Sequence, residues 1–168
     1  MGAGRREEME EQTFTQLQRE TLQEAEALVQ AAPSVQEALQ RLAELLTERV
    51  RTFSWAGFYL LRNGRLELGP HSGRNHPPHP STASTAEGTR GLAAASAETV
   101  LLPSLRRDPR WLSCPAAALS EIIVPIKAEG VVRGEIDVDG KKANGFDLRD
   151  RRFLEALAER LAPLLARS

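Results

Sequence analysis

Apolar residues recur at helical spacing at both ends of this chain and at strand spacing between them. From about Phe14 to Ala31, the residues Leu17, Leu22, Ala25, Leu28 and Val29 form a loose stripe that Pro33 ends. Ser34-Val35-Gln36-Glu37 reads as a capping box opening a second helix. Val35, Ala38, Leu39, Leu42, Leu46 and Val50 give that helix one apolar face, which must be covered. The period then changes. Trp55 to Leu61 is a strand, Asn63-Gly64 a hairpin turn and Arg65 to Leu68 the returning strand. Between His71 and Gly91 the chain is rich in Pro, Ser, Thr, Gly and Ala without periodicity, which predicts a long loop. Leu92 to Ala97 has the makings of one or two helical turns, and Thr99 to Leu102 of a short buried strand, before a second loop from Ser104 to Leu119. Two runs rich in Ile and Val follow, Ser120 to Lys127 and Val131 to Asp139, reversing at Glu129-Gly130. After a turn at Asn144-Gly145, Asp147 caps a terminal helix carrying Phe153, Leu154, Leu157 and Leu161, with a kink or end expected near Ala162 because of Pro163.

Helices at both ends and strands arriving in pairs predict an α+β domain, an antiparallel sheet covered by helices on one side. Residues 1–12 are charged and polar and read as a flexible lead-in; 13–168 read as one domain. A chain of 168 residues buries roughly 70% of its unfolded surface, enough for an independent core. With 22 basic and 23 acidic residues, net charge -1, there is no field to attract nucleic acid or an anionic membrane. No apolar run reaches membrane-span length and the first residues lack a secretory core. Cys114 is the only cysteine, which excludes an internal disulfide and suits a reducing, cytoplasmic setting.

The chemistry gathers in the hairpin at 120–139. Side chains alternate along a strand, so Ile136 and Val138 share one face while Glu135, Asp137 and Asp139 share the other, with Glu121 on the partner strand. Either that face is solvated, or it is a site that wants a cation. Exposure of Asp137 and Asp139 would mark the first. His76 and His79 have two-ligand spacing without a third ligand nearby, so no metal site is assigned.

Several blocks carry a resemblance. Trp55-Ala56-Gly57-Phe58-Tyr59-Leu60, Leu68-Gly69-Pro70, Gly91-Leu92-Ala93-Ala94, Glu98-Thr99, Ser120-Glu121-Ile122-Ile123-Val124-Pro125, Ile136-Asp137-Val138-Asp139 and Phe146-Asp147 resemble, in order and spacing, the GAF-domain family of free methionine-(R)-sulfoxide reductases. The resemblance runs from about Thr47 to the C-terminus. It implies a six-stranded antiparallel sheet flanked by helices, a homodimer, and a pocket for free methionine sulfoxide or a related amino acid. It further implies Cys114 as the nucleophile, Glu121, Asp137 and Asp139 as substrate-holding carboxylates, and Trp55 and Tyr59 as aromatic lining. No cofactor is implied beyond an external thiol reductant such as thioredoxin. Two further family cysteines are missing: Arg90 stands at one position and a residue near Pro80 at the other. The alternative is a GAF module that binds or senses a small molecule without turnover.

Overall fold

The computed structural model describes residues 4–5, 8–9, 13–73, 82–84, 88–105 and 119–167. Its elements are α1 (Gln16–Ala31), α2 (Val35–Arg49), β1 (Phe53–Arg62), β2 (Arg65–Gly73), β3 (Thr82–Ser84), α3 (Gly88–Ser96), β4 (Val100–Leu102), β5 (Ser120–Ala128), β6 (Val131–Gly140) and α4 (Leu148–Leu165). The six strands form one antiparallel sheet in the order β3-β2-β1-β6-β5-β4. The α+β expectation holds. No helix among the described residues is long and apolar enough to cross a membrane.

The β5–β6 hairpin turns as its sequence requires: Glu129 and Gly130 both have positive φ, 54° and 76°, the pair of left-handed conformations that matches strand twist in a two-residue loop. One face of the sheet is pure core. Ala56, Phe58 and Leu60 of β1, Ile122, Val124 and Ile126 of β5, and Ile136 and Val138 of β6 pack in one cluster with Leu22, Leu42, Leu46, Phe153, Leu157 and Leu161 of the long helices. These helices are well capped. Thr15 closes a capping box with Gln18, Ser34 Oγ accepts from the Glu37 amide, and Asp147 closes a box with Asp150.

Three expectations change. The stretch 71–91 is not one loop: β2 continues through Gly73, β3 adds an edge strand, and α3 begins at Gly88 rather than Leu92. Hydrophobic periodicity misses this start because α3 buries the small residues Thr89, Gly91 and Ala93 and leaves Leu92 40% exposed. The C-terminal helix also runs through Pro163 to Leu165 instead of ending near Ala162. Proline there sits in the last turn, where it removes a single helical hydrogen bond and its ring faces solvent.

Candidate functional site

The opposite face of the sheet is built differently. Register places Trp55 of β1 and Glu121 of β5 on either side of Asp139, Gly57 and Ile123 beside Asp137, and Tyr59 and Pro125 beside Glu135. Glu121, Glu135, Asp137 and Asp139 are all buried, so this face is not solvated. Helix α3 covers it: Ala93 packs with Ile123, Leu102 and Leu105, and Ala94 against the cluster of Trp55, Tyr59 and Leu66. Space over the central strand is made by Gly57. A Cβ on that residue would fall 2.3 Å from the Trp55 ring, so only glycine lets the indole lie across the strand beside Asp137.

The acids converge. One carboxylate oxygen from each of Glu121, Asp137 and Asp139 lies within 4.8 Å of the others, a spacing fit for a cation. Arg90, the third residue of α3, reaches into it. Its Nε donates to Asp137 Oδ2 at 2.6 Å and its Nη2 approaches Glu121 Oε1 at 3.4 Å. Its guanidinium carbon lies 4.8 Å from the centre of the Tyr59 ring, within cation–π range. The neighbouring Thr89 hydroxyl donates to the other Glu121 oxygen at 3.3 Å. Burial disfavours the Arg90 charge, but Asp137 and Glu121 outweigh it and hold the guanidinium protonated more firmly than in water.

Burial dominates the acids' own titration. Glu121 is pushed well above the ordinary carboxylate range by burial first, then by Asp137 and Asp139, against the opposing pull of Arg90. Glu135 is pushed up to about 9, again by burial first and by Asp137 second, with Arg90 opposing. Among the described residues neither Glu135 oxygen has a hydrogen-bond partner. A carboxyl in that position is neutral at pH 7.

Of the residues expected at the site, Trp55, Tyr59, Glu121, Asp137 and Asp139 are brought together on this face. Cys114 lies outside the described residues, as do Pro80, His76 and His79. The Leu105 amide donates to Leu119 O, and the Leu119 amide to Gly140 O, each at 3.1 Å. Sequence reasoning named Arg90 only as standing in place of a missing cysteine and Glu135 only as a member of the acidic face; it did not foresee Arg90 on the acids, Thr89 beside Glu121 or the neutrality of Glu135. The signal for Arg90 was the acid cluster itself, since buried carboxylates at this density require a cation and α3 carries no other.

Comparison with known proteins agrees with this architecture. The family model described as GAF domain matches residues 32–166. Protein YtsP of Bacillus subtilis is 33% identical over 73% of this chain and 74% of its own. A free methionine-R-sulfoxide reductase of Saccharomyces cerevisiae is 36% identical over 63% of this chain and 59% of its own length. The free methionine-R-sulfoxide reductase of Neisseria meningitidis, solved in complex with its substrate, superposes with a TM-score of 0.81 at 29% identity, covering 89% of this chain and 88% of that one.

Proposed function

This chain belongs to the GAF domain family, and on that basis we propose that it binds free methionine sulfoxide and reduces the R epimer through Cys114. The observation that carries the reading is the buried triad of Glu121, Asp137 and Asp139 with a guanidinium seated on it against Tyr59. A wall of this composition holds a positively charged nitrogen, which in a free amino acid is the α-ammonium. Its likeness to relatives named as free methionine-R-sulfoxide reductases supports the choice of ligand.

The chemistry asks for few groups. The Cys114 thiolate attacks the sulfoxide sulfur, an acid protonates the oxygen, and oxygen transfer leaves methionine and a cysteine sulfenic acid. A first external thiol condenses with that sulfenic acid to a mixed disulfide and water. A second releases Cys114 and the thiol's own disulfide, so two thiols are consumed per sulfoxide. With Cys114 as the only cysteine, the reductant is a small thiol or a thioredoxin-type protein. The proposed ammonium subsite lies on β5 and β6.

Incubation of the full chain with free methionine (R)-sulfoxide and dithiothreitol is expected to release methionine, with Cys114→Ser reducing the rate to background. Absence of turnover by the wild type defeats the reading. A second reading, a GAF module that binds an amino acid without reducing it, is favoured by Arg90 standing where the resemblance implies a further cysteine. Its mark is a methionine-induced rise in Tm that survives Cys114→Ser while no methionine sulfoxide is consumed.

A further inference from the structure

Arg90 occupies the place that the proposed ligand's ammonium would need. The inference drawn from this rests on the reading of the acid wall as an ammonium subsite. We propose that Arg90 determines the specificity of the pocket by acting as a tethered occupant of that subsite, so that a free amino acid binds only when Arg90 leaves the wall.

Arg90 already engages two of the three carboxylates of the wall. Arg90 uses Asp137 Oδ2 at 2.6 Å and Glu121 Oε1 at 3.4 Å, and lies over Tyr59. Its side chain is only 11% exposed. A ligand ammonium bonded to the same carboxylates would stand within a few ångströms of the guanidinium, where like charges in a dry site repel strongly. Thr89 reinforces the arrangement by occupying the second Glu121 oxygen. Helix α3 is itself held by the packing of Ala93 with Ile123, Val100, Leu102 and Leu105, so the guanidinium is presented from a fixed backbone and competes at high local concentration. Ligand affinity is therefore reduced by the fraction of molecules in which the wall is vacant. The subsite has become one that discriminates against weak ammonium ligands and yields only to those with further contacts.

The test compares wild type with Arg90→Ala for L-methionine (R)-sulfoxide and L-methionine, both in the Cys114→Ser background so that binding is read without turnover. By calorimetry, Arg90→Ala is expected to bind at least about tenfold tighter. Millimolar methylguanidinium should compete with methionine sulfoxide in Arg90→Ala while leaving binding by the Arg90 protein unchanged; absence of competition in Arg90→Ala overturns the proposal. Equal or weaker binding by Arg90→Ala overturns the proposal and leaves the ammonium subsite standing. No binding by either protein overturns the subsite and the proposal together. If Arg90→Ala does not fold, Arg90→Gln takes its place, since a neutral side chain fills part of the space without occupying the wall as a cation. About threefold tighter binding supports the proposal, and unchanged affinity overturns it.

Discussion

Glu135 is the residue whose physics is least explained by packing. Its side chain is fully buried, between Tyr59 of β1 and Pro125 of β5, with Asp137 on its own strand and Arg90 presented from α3. Below pH 4.5, the ordinary glutamate value, it is protonated in both folded and unfolded chains and exerts no pH-dependent effect. Between 4.5 and about 9 only the unfolded chain releases the proton, so stability falls as pH rises, and above that window the loss is complete. At neutral pH the loss is on the order of 3 kcal/mol. Glu135→Gln removes the titration, so the stability of the variant relative to wild type is expected to widen steadily from pH 5 to pH 8.5 in urea unfolding. A constant difference across that range would show that Glu135 titrates normally. Strand alternation alone put Glu135 on the acidic face. Its neutrality was not legible, because it depends on a cover supplied by α3, which the sequence pattern did not reveal at full length.

At the scale of the element, α3 is the instructive case. Strands and the long helices were readable since their apolar positions repeat at 2 or 3.6 residues and face a single core, as Phe58, Ile136, Leu42 and Leu157 do. Helix α3 inverts the rule. It packs close to the sheet through Thr89, Gly91 and Ala93, all buried, and turns Leu92 outward. Small residues there bring the helix near enough for Arg90 to reach Asp137, so the same feature that hid the helix from periodicity creates the site. Two substitutions separate these faces. Leu92→Gln is expected to change stability by no more than about 0.5 kcal/mol, whereas Ala93→Leu, which forces volume against Ile123 and Leu102, should cost about 1–3 kcal/mol. Thermal unfolding of the pair checks it. A large loss from Leu92→Gln with tolerance of Ala93→Leu would mean that α3 is rotated from the described arrangement.

Across the whole molecule, the sheet divides labour between its faces. The helical face holds the apolar cluster and the opposite face holds the buried charges, with β6 contributing alternate side chains to each. The matched family span begins at residue 32, yet α1 lies before it and is part of the core: Leu22 and Ala25 are buried, Phe14 meets Phe153 edge-on at 6.5 Å, and Glu26 accepts from Arg160 Nε at 2.8 Å. α1 packs against α4 and α2, on the far side of the sheet from Arg90, Asp137 and Glu121. Truncating Leu22 therefore tests whether the faces are energetically separate. Leu22→Ala should lower stability by about 2–5 kcal/mol through lost burial and a cavity. At a temperature where the variant remains folded, its affinity for L-methionine (R)-sulfoxide, the proposed ligand, should stay within about twofold of wild type, as distant sites with no shared partners add independently. Unfolding in urea gives the first quantity and calorimetry the second. A parallel loss of both would show that α1 tensions the acid wall through the sheet, and the assignment of stability to one face and recognition to the other would fall.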